Sequence, residues 1–260
     1  MYLVKKKMEI NSNVLIVGGS SGLGLSIAKK LCLRGYNISI LGSNKKKLDK
    51  IKRFFLNKYK SKINVFNCDL TDQKQTQKFL KKISKNNLNY QILIYSAGIG
   101  YYEDFSKSSS ANNEKVIKLN VFAFTNIMGF FVKHMLKHKK KSYIVSIGSL
   151  AGFVPDPNFL LYGSTKKFIE VFTTSLAENL KKTNISLSLV TPGSINTPFL
   201  RNSKNPKKST SMQPDRVAEI LINKFLRGQK LIIPGLVNTL RYYAFKFLPK
   251  IIIFYLFKNL

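Results

Sequence analysis

The sequence predicts an α/β fold, a doubly wound parallel sheet of about seven strands with helices on both faces. Three observations predict it. Short β-branched runs alternate with helical stretches along the chain. Those runs are almost continuously apolar, as strands covered on both faces are. The length of 260 residues suits one domain with a sizeable core and is short for two.

Taken in order, strands are expected at 14–17, 38–41, 63–66, 92–95, 143–147, 186–190 and 231–233. Helices are expected at 22–33, at 113–137 and at 160–180. Lys45, Lys46 and Lys47 open another, and a further one starts near Thr71, where Asp69 is a candidate cap. Pro214 and Asp215 open a helix that Gly228 closes, the usual asymmetry of a Pro-first, Gly-last helix. No repeat or long linker divides the chain. Residues 1–235 are expected to form the domain, and residues 236–260 a basic, aromatic helical extension of it.

The charge balance is lopsided. Forty-four Lys and Arg stand against 12 Asp and Glu, a formal net charge of +32. Such a field attracts nucleic acid, anionic membranes or acidic substrates. The lysines fall in every region rather than in one block, so most are read as solvated surface and nucleic acid is not an expected partner. Cys32 and Cys68 form no CxxC pair, as in a reducing compartment. Met1 to Val4 is too short an apolar run for a secretory signal, with Lys5 to Lys7 following where its apolar core would lie. A cytoplasmic location is expected, with no membrane-spanning helix.

The first strand runs into Gly18-Gly19-Ser20-Ser21-Gly22-Leu23-Gly24. Glycines let a pyrophosphate approach the main chain, and the helix beginning here offers free N–H groups and its positive end. A dinucleotide site is the reading. An acid at the end of the second strand would bind a ribose 2′-hydroxyl and repel a 2′-phosphate. That stretch reads Leu41-Gly42-Ser43-Asn44-Lys45, without a carboxylate. Ser43, Asn44 and Lys45 could meet a phosphate, so NADP(H) is preferred, with NAD(H) as the alternative.

Tyr162 and Lys166 stand at i and i+4, on one helix face. A phenol with a pKa of about 10 is a poor base at neutral pH. A neighbouring ammonium lowers that pKa and makes the phenol usable for proton transfer. Thirteen positions upstream, Ser149 follows an apolar strand, at the strand end where α/β enzymes bind ligands. Asn120 lies inside an apolar helix and must satisfy its amide, or mark a kink.

Together these residues resemble the short-chain dehydrogenase/reductase family, in its ordinary-length branch. Gly18, Gly22 and Gly24 give G-x-x-x-G-x-G, not the G-x-G-x-x-G of longer two-domain dehydrogenases. Val17 replaces the family's usual Thr, and Tyr95-Ser96-Ala97-Gly98 keeps only Ala-Gly of Asn-Asn-Ala-Gly. The resemblance implies a Rossmann-type fold and an NAD(P)(H)-dependent oxidoreductase that interconverts a carbonyl and a secondary alcohol. It implies that Tyr162 exchanges the proton, Ser149 bonds the substrate oxygen, Lys166 holds the nicotinamide ribose and lowers the pKa of Tyr162, and Asn120 holds a water. It places the cofactor on Gly18, Ser20, Ser21, Gly22, Leu23 and Gly24, then on Ser43, Asn44 and Lys45, and then on Asp69 and Leu70, with Asp69 at the adenine. Ala97, Gly98, Tyr162 and Lys166 complete the middle of that site. Pro192 and Gly193 form a turn from which Ile195 and Thr197 reach the nicotinamide carboxamide.

Other features compete. His134 and His138 are spaced like metal ligands but sit among lysines, so no metal is expected. Ile251–Phe257 is apolar but far shorter than the roughly 20 residues needed to span a bilayer. With Arg241, Lys246, Lys250 and Lys258, the tail suits either an anionic membrane interface or packing on the core or on a second subunit. The polar run 201–208 lies where the family has a mobile lid. Rival functions are a non-catalytic dinucleotide sensor on the same fold and a membrane-surface binder using the tail. The substrate is expected to be a small, hydrophobic carbonyl or alcohol, and the protein a homo-oligomer.

Overall fold

The computed structural model describes residues 12–86, 88–203, 211–249 and 251–253. Seven strands form one sheet: β1 (Asn13–Val17), β2 (Asn37–Gly42), β3 (Asn64–Asn67), β4 (Ile92–Tyr95), β5 (Ser142–Ile147), β6 (Ile185–Val190) and β7 (Leu231–Ile232). Their order is β3-β2-β1-β4-β5-β6-β7, and every pairing is parallel. The fold is the Rossmann-type doubly wound sheet that the alternating runs predict. β3 starts one residue later than expected, and β7 is reduced to two residues.

The apolar runs are continuous because successive side chains serve opposite layers. Val14, Ile16, Ile92, Ile94, Tyr143 and Val145 face one core. That layer is closed by α1 (Gly22–Leu33), α2 (Lys45–Tyr59) and α8 (Pro214–Phe225) through Ile27, Leu31, Phe55, Leu221 and Phe225. Leu15, Val17, Leu93, Tyr95 and Ile144 face the other. There α3 (Gln73–Lys85), α5 (Phe124–Lys137) and α6 (Leu160–Asn179) bring Phe79, Ile83, Phe124, Phe131 and Ile169.

The helix expected at 113–137 runs from Ser110 to Lys137, but not uniformly. An α-helix, α4 (Ser110–Ile117), passes through a π-helical stretch at Lys118–Ala123 before α5. By length and composition this run is long and apolar enough to cross a membrane, unlike the sequence expectation. Phe124, Ile127, Phe131 and Met135 of this run are buried in the core, which accounts for part of that composition, while Phe122 faces solvent. The cap of α3 is also a correction. Asp72, not Asp69, accepts from the N–H groups of Lys74 and Gln75. α8 ends at Phe225, and Gly228 follows with φ +77°.

The chain continues through α7 (Pro198–Asn202) and closes with α9 (Leu236–Phe247). Part of the tail therefore packs on protein: Tyr242 is buried against Phe153 at 4.7 Å, beside Leu150 and Ile233. His134 stacks on Phe130 at 5.8 Å, and among the described residues no cluster of His, Cys, Asp or Glu could hold a metal. Cys32 is half-buried and Cys68 buried, both as free thiols.

Candidate active site

Strand order reverses between β1 and its neighbours β2 and β4, and ligands of open α/β sheets bind in the crevice at such a point. A cavity of about 770 Å³ lies there. The loops that wall it are tied to neighbouring strands. Gly18 N donates to Leu41 O at 2.9 Å, Ser96 N to Val17 O at 2.9 Å, Gly148 N to Val190 O at 2.7 Å, and Leu150 N to Pro192 O at 2.9 Å.

At one end stands the glycine turn. Gly18 has φ +80°, and a Cβ there would come within 2.6 Å of Ala97 N. A Cβ on Gly24 would strike the Gly18 carbonyl oxygen. Both positions must stay bare for the turn to close on the next loop. Ser20, Ser21, Gly22 and Leu23 line the cavity, and the first turn of α1 holds no acid, so its N–H groups and positive end face the space. This cradle fits a dinucleotide pyrophosphate.

Farther out, Ser43, Asp69, Leu70 and the buried Cys68 line the cavity. Burial pushes the Cys68 thiol up to about 11. The Asp69 carboxylate accepts from Thr71 N at 2.9 Å and Thr71 Oγ1 at 2.8 Å. Asn44 and Lys45 are not part of the wall. Asn44 caps α2, accepting from Lys47 N at 2.9 Å, and Lys45 begins that helix in solvent. Of three residues predicted to meet a phosphate, one borders the cavity. Asn67, which the sequence did not single out, holds this end by donating to Ser43 O at 2.9 Å.

Toward the centre lie Ala97 and Gly98 on one side and Pro192, Gly193, Ile195 and Thr197 on the other. Tyr95, where the family has Asn, repairs the sheet in its own way. It is fully buried, donates its hydroxyl to Leu119 O at 2.8 Å and meets Phe124 edge-on at 5.1 Å.

The predicted catalytic trio converges. Ser149 follows β5 and starts a short 3₁₀ turn, its hydroxyl accepting from Ala151 N at 3.1 Å. Tyr162 and Lys166 lie buried on the inner face of α6, and all three line the cavity. Burial raises the pKa of the Tyr162 phenol, and a hydrogen bond with the Ser149 hydroxyl opposes that rise. Lys166 Nζ donates to Ile147 O at 2.8 Å and stands 5.5 Å from the Tyr162 ring centre. The depression of Tyr162 expected from Lys166 is not the dominant influence: burial is. Burial also pulls Lys166 itself down to about 8.

Asn120 does not touch the cavity. It sits fully buried in the π-helical stretch, so the amide and the distortion go together. Its Nδ2 donates to Ile99 O at 2.8 Å and Thr165 Oγ1 at 3.0 Å, while Ile99 N donates to its Oδ1 at 3.0 Å. It thus clamps the loop after β4 to the helix that carries Tyr162.

The sequence reading missed the frame around the phenol. Phe159 stacks on Tyr162 at 4.4 Å, and Phe199 of α7 lies at 5.1 Å. A Cβ on Gly100 would fall 2.6 Å from the Tyr162 ring, so a glycine lets the ring lie against that backbone. Only the proximity of Gly100 to Ala97-Gly98 hinted at this. Arg241 and Phe245 of α9 also border the cavity. The polar run 201–208 is described only to Ser203, whose carbonyl accepts from Tyr102 N at 2.8 Å; residues 204–208 lie outside the described residues.

Comparison with known proteins agrees. The family model for short chain dehydrogenase matches residues 12–208. A fatty acyl-CoA reductase of Acinetobacter baylyi is 24% identical over 222 residues, covering 84% of this chain and 74% of its own. A short-chain dehydrogenase from Sphingobium yanoikuyae, solved in complex with NADPH, superposes with a TM-score of 0.83 at 24% identity, covering 90% of this chain and 92% of its own. One from Burkholderia phymatum, in complex with NAD, gives 0.82 at 17% identity, covering 90% and 92%. With three quarters of its length matched by that model, the chain belongs to the short-chain dehydrogenase family of oxidoreductases.

Proposed function

We propose that the protein is an NAD(P)(H)-dependent oxidoreductase that interconverts a carbonyl and a secondary alcohol. The observation that carries the reading is the meeting of Ser149, Tyr162 and Lys166 on the wall of one cavity whose far end is the glycine cradle. A bound nicotinamide would supply or accept the hydride. Gly18, Ser20, Ser21, Gly22 and Leu23 would hold its phosphates, with Gly24 packed behind them. Ile195 and Thr197 would hold the carboxamide.

The remaining chemistry belongs to the protein. The raised pKa keeps the Tyr162 phenol protonated at neutral pH, as an acid for carbonyl reduction must be. The Ser149 hydroxyl polarises the substrate oxygen. Lys166, cationic below a pKa of about 8, binds the cofactor ribose and favours the phenolate left after proton transfer. NADP(H) is the preferred cofactor, because no carboxylate follows β2 and Ser43 borders the cavity there.

The substrate is a small, hydrophobic carbonyl or alcohol. Val154, Phe159, Phe199, Leu200 and Phe245 wall the space beyond Tyr162, and the similarity to a fatty acyl-CoA reductase supports an apolar ligand. A second copy of the chain is the partner that would cover Phe122, Phe168 and Val171, which face solvent along the π-helical stretch and α6. The test is NADPH oxidation against a panel of apolar aldehydes and ketones, compared with NADH. Turnover with NADPH is expected, and a purified, folded protein that binds the dinucleotide but reduces none of the panel would point instead to a sensor.

A further inference from the structure

α9 has two unlike faces. The inner face carries Asn238 and Tyr242, with Asn238 Nδ2 donating to Pro234 O at 2.8 Å and the Tyr242 ring against Phe153. The outer face carries Leu236, Val237, Leu240, Tyr243 and Phe247. Leu236 is 76% exposed, Leu240 64% and Phe247 75%. At the helical period these positions form one contiguous stripe, and Ile251, beyond the end of α9, is 79% exposed as well. Arg241 and Lys246 flank the stripe on its two sides. No acidic residue follows Glu219 in the chain, and the one carboxylate felt at Tyr242, that of Glu170, is paired with Lys167.

A continuous apolar patch of this kind on a soluble surface marks a binding face. Its chemistry selects among occupants. A second copy would press Arg241 and Lys246 toward their own counterparts with no carboxylate between them. Nucleic acid would leave the apolar stripe uncovered. An anionic bilayer satisfies both halves: leucines and aromatic rings enter the acyl boundary while flanking cations stay among the headgroup phosphates. We propose that α9 docks the protein in the plane of an anionic lipid bilayer, with Leu236, Leu240, Tyr243 and Phe247 inserted. Arg241 and Phe245, towards the inner face of the same helix, border the cavity, so docking would hold the cavity one helix away from the lipid.

The experiment is co-sedimentation of the full chain with phosphatidylcholine vesicles, with and without phosphatidylserine. Wild type is expected to pellet with the anionic vesicles and to stay in solution with the neutral ones. Leu240→Gln/Phe247→Gln, which changes no charge, should lower the vesicle partition constant about a hundredfold, the scale expected from removing two inserted apolar side chains. Lys46→Glu/Lys50→Glu on α2 removes more positive charge and should bind nearly as wild type. A thermal unfolding midpoint equal to wild type shows each variant folded. The proposal is overturned if wild type ignores anionic vesicles at low salt, or if the glutamine variant binds undiminished. It is equally overturned if the α2 variant loses as much binding, which would assign the effect to bulk charge. Should the glutamine variant instead turn a dimer into a monomer in sedimentation velocity with vesicle binding unchanged, the stripe belongs to a second copy. No outcome depends on turnover, so the lipid surface and the dehydrogenase reading stand or fall separately.

Discussion

The two ends of the cavity are built in opposite ways. Around Tyr162 the key side chains Asn120, Phe159, Tyr162 and Lys166 are buried, and the groups are tied across the fold: Lys166 to Ile147, Asn120 to Ile99 and Thr165, and the phenol between Phe159, Phe199 and Gly100. At the end of β2, Ser43, Asn44 and Lys45 are exposed, and Asn44 spends its side chain on a helix cap. Geometry at the reacting end is fixed by packing, whereas discrimination at the outer end rests on a few solvated contacts. Changes at the first should be severe, and changes at the second graded.

Substitutions can break or sharpen that contrast. Tyr162→Phe removes the proton and should lower kcat for carbonyl reduction about thousandfold while dinucleotide binding by fluorescence titration is kept. Activity within tenfold of wild type would end the proton-transfer role. Asn120→Ala leaves the N–H and C=O of the half-buried Ile99 without this partner and should cost about 2 kcal/mol in urea unfolding. A loss as small as that of an exposed position would mean the clamp is not structural.

Lys166 supplies a test with the opposite sign. Its folded pKa of about 8 lies below the ordinary 10.5, so burying its charge costs stability at neutral pH. Between those values the unfolded chain holds the proton more tightly, and wild-type stability rises with pH. Lys166→Met should therefore stabilise the fold by about 3 kcal/mol at pH 7, less about 1 kcal/mol for the hydrogen bond to Ile147, with the gain fading as pH rises through 8 toward 10. A gain independent of pH would refute this account. Ser43→Ala, at the outer end, should raise the NADPH KM only about fivefold, worth about 1 kcal/mol, with kcat unchanged. A hundredfold effect there would erase the contrast.

The same division governs what the sequence made legible. Strands β1 and β4 were readable because their side chains are apolar in both registers, β2, β5 and β6 because short apolar runs are interrupted only by single serines, and Gly18 and Tyr162-Lys166 because spacing along one chain segment fixes them. What escaped depends on distant partners. Asp69 and Asp72 are equally plausible caps by type, and only the loop path shows Asp72 at the helix start. For the π-helical stretch the sequence offered only Asn120 as a possible kink, because the partner of its amide, Ile99, lies in a loop 21 residues away. Tyr95 looked like a missing amide until Leu119 appeared above it. In the tail, the sequence left an anionic membrane interface and packing on protein as alternatives, and nothing in it implied that Arg241 and Phe245 would border the cavity.

The hydrogen bonds that stitch each wall loop to the next strand have a kinetic consequence. β1 pairs with β2 nearby in the chain, but its other neighbour is β4, and the backbone of the Ser149 turn is tied to Val190 at the end of β6 and to Pro192 beyond it. Parallel partners so far apart must wait for one another, and such long-range topology folds slowly. During synthesis the glycine turn emerges with its β4 side unpaired, so the nascent chain carries open strand edges until the segment around residue 190 is released. Competence therefore arrives in one late step, and a chain stalled before β6 would present a sticky half-sheet rather than a slow enzyme.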